Sequence, residues 1–191
     1  AQDLGLKLHR ISLTKESVAE YLESLSTLIE SCRALDLSIG LAFYFASKEA
    51  RRLSCDSILL GQLADEVFGG YSRYLASYRR FGGEEADKMM LHDVKNAYKL
   101  NFERDEKASS PHCEPILPYA SMPLVHYVTS LPIHLKIDLK QGIRKLLLRR
   151  VALEAGLPKD LIWKDKKALQ YSSGIQRLIK DFAMKSLSQQ G

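Results

Sequence analysis

Apolar positions along the chain switch between alternating and helical spacing, and the switches predict its elements. Ala1–Leu6 reads as a helix tail closed by Gly5. Leu6, Leu8, Ile11 and Leu13 then alternate imperfectly with polar residues, which predicts a short strand over Lys7–Ser12. Thr14 can cap the next helix, with Glu16 in its first turn. Val18, Leu22, Leu25, Leu28, Ile29 and Cys32 recur on one helical face. A second helix is expected over Leu37–Leu53, capped by Asp36 or Ser38. Its apolar stripe would be Ile39, Ala42, Phe43, Ala46, Ala50 and Leu53. The apolar run Ser57–Leu60 predicts a buried strand that stops at Gly61. Strand, two helices and strand form a crossover pattern for a parallel sheet.

Beyond residue 75 the pattern is mostly helical. Phe81-Gly82-Gly83 is a break, and Glu84–Arg104 reads as one helix. Ser109–Pro118 reads as a loop with three prolines, and Ser121–Ser130 as a short helix stopped at Leu131-Pro132. Gly142–Ala155 reads as a cationic helix with Ile143, Leu146, Leu147 and Val151 inward, closed by Gly156. A helical turn at Pro158–Trp163, a loop at Lys164–Ser173 and an amphipathic helix at Gly174–Ser186 complete the chain. One domain over 1–191 is expected, α/β through residue 75 and mainly helical from 76.

Composition narrows the class. The 191 residues are 46% apolar and 27% charged, enough for a core in an ordinary soluble domain. No run approaches the roughly 18 apolar residues of a membrane span, and no signal-peptide pattern is visible. Cys32, Cys55 and Cys113 have neither disulfide-framework nor metal-ligand spacing. They predict reduced, partly buried thiols in a cytoplasmic protein. Charge is uneven. Residues 1–129 carry 15 Lys and Arg against 18 Asp and Glu, and residues 130–191 carry 13 against 5. The basic end reads mainly as a solvated helical surface rather than a nucleic-acid site.

The chemistry concentrates in Leu59–Tyr74. Asp65 and Glu66 follow a strand end, and Gly69-Gly70 lets the backbone approach a neighbour closely. Adjacent carboxylates at such an edge suit magnesium, which takes one or two carboxylates beside phosphate and water. The same residues also read as an ordinary acidic turn. Trp163–Ser173 offers Lys164, Lys166 and Lys167, either a solvated loop or point charges for phosphate. The five histidines lack zinc spacing.

Ala64–Tyr71 resembles the Ser-Gly-Glu-Gly-Ala-Asp-Glu-Leu-Phe-Gly-Gly-Tyr signature of the asparagine synthetase family, with Val67 for Leu. Upstream, Leu60, Gln62 and Leu63 depart from it. Arg104, Asp105, Ser109, Glu114, Pro118 and Tyr119 match the family segment that lines the amino-acid and adenylate pocket. Cys113, Ile116, Ala120 and Ser121 depart from it. Trp163–Ser173 resembles the family loop whose lysine contacts pyrophosphate, which is Lys166 counted from Trp163.

The resemblance implies a parallel-sheet pyrophosphatase-loop α/β fold with a mostly helical C-terminal half. It implies an ATP-dependent ligase that activates a carboxylate, aspartate or an analogue, as an acyl-adenylate and transfers it to an amine donor. Gly61, Asp65, Lys166, Arg104 and Asp105 would bind ATP, and Asp65 and Glu66 would hold Mg²⁺. Lys166, Glu114 and Gln62 would be catalytic. The family's Ser-Gly-Gly-x-Asp-Ser loop and its glutaminase domain with a terminal cysteine nucleophile are absent from these residues. The chain also starts at Ala1 without a methionine, so a fragment is expected, with a further segment or chain supplying those parts. Alone, it is expected to bind ATP poorly. Two other functions stay open, a non-catalytic binding module and an RNA-modifying adenylating enzyme.

Overall fold

The computed structural model describes residues 1–164 and 174–188, which fall into two interleaved compact units. Residues 8–58, 99–116 and 174–188 form one of them. Its frame is α1 (Lys15–Leu28), α2 (Ala34–Arg52), α6 (Glu103–Ser109) and α11 (Ile175–Ser188). Thr14 caps α1 as its spacing predicts. Its hydroxyl accepts from the Ser17 amide at 3.2 Å, while Ser17 Oγ accepts from the Thr14 amide at 3.0 Å. Val18, Leu25 and Ile29 then meet Leu37 and Leu41 of α2, Ala108 of α6, and Ile175 and Ile179 of α11. Gly40 packs on Ile29 and Leu25, whose Cδ1 and Cδ2 would lie 3.4 Å from a β-carbon there, ordinary contact distance. Burial of each large aliphatic in such a core contributes about 1.5–3 kcal/mol.

α2 differs from its expected form. It begins at Ala34, ahead of the expected Asp36 or Ser38 cap, and buries Leu37, Ser38, Gly40, Leu41 and Ser47. Ile39, Ala42 and Ala46 are only half-buried. Serine and glycine join Leu37 and Leu41 on the inner face, while Ala42 and Phe43 of the expected stripe pack at its edge. Cys32 lies on the surface with Cys55, and only Cys113 is buried. The Cys113 thiol donates to the Ser47 carbonyl at 3.2 Å and the Cys55 carbonyl at 3.1 Å.

The α/β character is small. β1 (Ser57–Leu59) pairs in parallel with β2 (Glu114–Ile116), where a loop was expected, and the Glu114 amide donates to the Asp56 carbonyl at 2.9 Å. Pro115 is compatible with an edge strand, which needs no donor on its open side. Lys7–Ser12 forms no strand, and Leu8 and Ile11 are exposed. Alternation makes a strand only where a neighbour accepts its backbone groups.

The other unit comprises residues 1–7, 59–98 and 117–164. It opens with a 3-10 turn, Gln2–Leu4, closed by Gly5 at φ 63°. α3 (Ala64–Phe68) is followed by α4 (Ser72–Phe81) and α5 (Gly83–Ala97), a hairpin turned at Gly82 with φ 90°. Residue 75 lies within α4. Tyr74, Ala86, Met90, Ile133 and Ile137 form the core here. The expected helix Glu84–Arg104 is three pieces: α5, a π turn at Tyr98–Phe102, and α6. After a 3-10 turn at Pro118–Ala120 come α7 (Met122–Ser130), α8 (Ile133–Lys136), α9 (Leu146–Glu154) and α10 (Lys159–Ile162). α9 starts later than expected. Val151 is exposed rather than inward, and Leu146 is the buried anchor. Among the described residues, no helix is long and apolar enough to cross a membrane.

Candidate functional site

Leaving β1 at Leu59, the chain turns through Gly61 and Gln62 into α3. Leu63 caps that helix at φ 71°, a left-handed conformation unusual for a residue with a β-carbon. α3 buries Ala64, Glu66, Val67 and Phe68 and ends at Gly69, φ 73°. Gly69 needs glycine for its positive φ, and a side chain on Gly70 would displace Asp65 and Lys145. A β-carbon on Gly69 would lie 2.8 Å from Ile137 Cγ1, and one on Gly70 would lie 1.9 Å from Asp65 Oδ1 and 2.5 Å from Lys145 Cε. The Gly70 amide donates back to the Asp65 carbonyl at 2.7 Å. Gly61 has open space around it, so its glycine answers no steric demand in this structure.

The two carboxylates have different fates. Glu66 is 3% exposed, and its Oε1 accepts from the Tyr71 hydroxyl at 2.8 Å. Asp65 is half-buried as a residue, and its Oδ1, itself sealed from solvent, pairs with Lys145 Nζ at 3.1 Å. A cation reaches Glu66 only by breaking a buried hydrogen bond, whereas Asp65 already binds one. The two acids expected to hold magnesium thus have different neighbours, a phenol at Glu66 and a lysine at Asp65.

Arg144 and Lys145 form a clasp that sequence reading misses. Arg144 Nη1 donates to the Gly70 carbonyl at 2.8 Å, and Lys145 sits at φ 55° just before α9. Read as helix, this Arg-Lys pair looks like surface charge. Its local signal is Gly142, at φ 68° just ahead of it.

Behind the turn lies a second network. Tyr74, fully buried, donates through its hydroxyl to Asp93 Oδ2 at 2.5 Å, and Arg73 Nη2 reaches the same oxygen at 2.7 Å. The Arg73 guanidinium also lies 4.1 Å from the Tyr71 ring centroid. Burial, reinforced by Glu66, pushes the Tyr71 hydroxyl pKa well above the ordinary phenol value, and burial with the Asp93 hydrogen bond does the same for Tyr74. Both phenols thus stay protonated in the fold at pH values where the unfolded chain, titrating near pH ~10, loses those protons. Stability is complete below about pH 10 and falls as pH rises beyond it. Urea unfolding above that pH is expected to show this slope, and Tyr71→Phe with Tyr74→Phe should flatten it. An equal slope in the double variant would contradict the assignment.

Of the remaining candidates, Gln62 lies in the same unit, Arg104, Asp105 and Glu114 lie in the other, and one lies outside the described residues. Arg104 is largely buried and pairs with Asp105 at 2.8 Å and Asp36 at 3.2 Å, and Asp105 is 1% exposed. These charges fasten α6 to α2. Glu114 is exposed on β2, and Gln62 is half-buried with an interaction of its own. Lys166 lies outside the described residues.

Comparison with known proteins accounts for the whole chain. The family model described as asparagine synthase matches residues 1–85 and 81–191. The protein named "Putative asparagine synthetase (glutamine-hydrolyzing) 1" from Methanocaldococcus jannaschii is 32% identical over 97% of this chain and 40% of its own length. Asparagine synthetase domain-containing protein 1 of Mus musculus is 33% identical over 76% of this chain and 26% of its own length. The glutamine-hydrolyzing asparagine synthetase of Gallus gallus is 26% identical over 95% of this chain and 32% of its own length. The chain thus spans two fifths or less of these relatives. With both matched segments together covering every residue, the chain belongs to the asparagine synthase family.

Proposed function

We propose that this chain is part of an ATP-dependent amide-forming ligase of the pyrophosphatase-loop type. It activates a carboxylate, aspartate or an analogue, as an acyl-adenylate with release of pyrophosphate, then passes it to an amine donor. The observation that supports this most is the turn Asp65–Gly70. Its half-buried carboxylate stands beside a lysine, and a side chain on either glycine would meet neighbouring side chains.

Adenylation converts a carboxylate, a poor electrophile, into one with a good leaving group, and its cost lies in charge developing on the departing pyrophosphate. When bound, Mg²⁺ supplies positive charge for that oxygen cluster. Of this chain's residues, Asp65 would hold it. Glu66 works from behind, fixing Tyr71 and the start of α4. Lys166, in the stretch after Trp163, would meet the same phosphates. Gln62 and Glu114 would orient the carboxylate or the amine, and Gly61 would let the nucleotide approach the backbone. A further segment or partner chain would supply the Ser-Gly-Gly-x-Asp-Ser loop and the amine source.

Pyrophosphate release from ATP, measured in the native polypeptide with an amino-acid and amine panel, tests this. Release is expected to exceed that of the Asp65→Ala, Lys166→Ala variant, and equal release overturns the proposal. One observation favours a second reading, a non-catalytic binding module. Arg104 and Asp105 spend their charges on each other and on Asp36. That reading predicts no magnesium-dependent ATP binding by calorimetry.

A further inference from the structure

We propose that His112 is an acid-released latch. In its neutral form it fastens the turn between α6 and β2 to α2, and its protonation below neutral pH lets that turn and the start of β2 come away.

The turn is short. Where α6 ends at Ser109, the amides of His112 and Cys113 both donate to the Ser109 carbonyl at 3.0 Å. Glu114 then opens β2, with its amide bonded to the Asp56 carbonyl at 2.9 Å. Two side chains of the turn reach α2. The buried Cys113 thiol donates to the Ser47 carbonyl at 3.2 Å. The His112 ring stands against the Tyr44 ring, with centroids 4.9 Å apart and planes at 70°. Aromatic rings attract each other in this edge-on arrangement.

The place suits a neutral ring and opposes a charged one. His112 Nε2 is sealed from solvent and has no hydrogen-bond partner among the described residues. In a neutral imidazole one nitrogen carries no proton, so Nε2 can stand there as a bare lone pair. A proton added to it becomes a buried donor with nothing to receive it. The surrounding groups do not offset that cost. α2 presents Lys48, one turn beyond Tyr44. Its ammonium is held in place, donating to the Tyr21 hydroxyl of α1 at 2.7 Å and lying 4.2 Å from that ring's centroid. The same hydrogen bond raises the lysine pKa, with Tyr44 and Glu20 acting in the same sense, so Lys48 is charged throughout the neutral range. On α6 the Asp105 carboxylate is taken by Arg104 at 2.8 Å, and ahead of β1 Asp56 is paired with Arg51 in solvent. Burial first, and Lys48 second, hold the His112 pKa below the ordinary 6.5.

Once released into water, the ring titrates near the ordinary imidazole value of about 6.5. The released state therefore binds the proton more readily than the latched one. The latch is closed above about pH 6.5 and loosens as pH falls through that value. Cys113 and Glu114 follow directly in the chain, so the first backbone bond of β2 loosens with it.

Hydrogen exchange at the Cys113 and Glu114 amides of the native polypeptide reads the latch, once each rate is divided by its intrinsic value at that pH. From about pH 7.5 to about pH 5.0 their protection is expected to fall at least about threefold. His112→Phe keeps an aromatic edge against Tyr44 and takes no proton, so its protection should not change over that range. Equal protection at both pH values in the native protein, or an equal fall in His112→Phe, overturns the proposal. Proton NMR of the His112 ring in the native protein needs no variant to fold. The ring is expected to be half-protonated below pH 6.5, and half-protonation at or above about that value overturns the latch.

Discussion

Gly70→Ala is expected to destabilise the protein by about 1–3 kcal/mol, the usual cost of forcing an extra carbon into a packed site. It should also abolish the magnesium binding proposed for Asp65. The new β-carbon would sit 1.9 Å from Asp65 Oδ1, well inside van der Waals contact. The backbone cannot give way cheaply. The Gly70 amide is bonded to the Asp65 carbonyl at 2.7 Å, and the Gly70 carbonyl is held by Arg144 at 2.8 Å. The side chains must move instead. Asp65 rotates away, and Lys145, whose Cε would lie 2.5 Å from the added carbon, loses its partner. Gly61→Ala is the matched control. Its β-carbon meets nothing within 4 Å, so its stability should change by less than about 0.5 kcal/mol. Urea unfolding read beside magnesium calorimetry checks both. A Gly70→Ala protein as stable and as metal-competent as Gly61→Ala would show that the turn tolerates a side chain.

The contrast between these glycines indicates what sequence can and cannot disclose. Leu59–Tyr74 is legible because its signals are local: an apolar run, a stop, two acids and two glycines. Which glycine matters is not legible, because the space at Gly70 is filled by Lys145 from 75 residues away. The strain at Lys145 is equally hidden, since a non-glycine residue at positive φ has no compositional mark. α1 follows from the Thr14 cap and apolar spacing. α2 is found but its inner face is shifted, because Ser38, Gly40 and Ser47 are buried while Ile39, Ala42 and Ala46 of the expected stripe are half-buried. Strands fare worst. Lys7–Ser12 has the alternation and no strand, while Glu114–Ile116 has a proline and is one, since pairing partners decide the matter. For the candidate site, adjacency shows Arg104 and Asp105 as a charged pair, but not that Asp36, 68 positions away, shares Arg104. Asp65 and Glu66 look equivalent in sequence. One hydrogen bond from Tyr71 separates their surroundings.

The largest stability effect is expected behind that turn. Tyr74→Ala should cost about 3–5 kcal/mol, the range for truncating a buried aromatic. Tyr74 is 0% exposed and packs with Ala86, Met90, Ile133 and Ile137, drawn from α5, α8 and the residue after α8. Truncation opens a cavity among elements that no neighbouring side chain can refill. It also removes the 2.5 Å hydrogen bond to Asp93, leaving that largely buried carboxylate with Arg73, which is half exposed. Tyr74→Phe separates the two contributions. It keeps the ring and removes only the hydroxyl, so it should cost about 1–3 kcal/mol for a buried acceptor deprived of its donor. Urea unfolding of both variants provides the comparison. If Tyr74→Phe matched Tyr74→Ala, the hydrogen bond to Asp93 would outweigh the packing. If Tyr74→Phe were neutral, Arg73 alone would satisfy Asp93, and α4 and α5 would be joined by apolar contact rather than by their polar network.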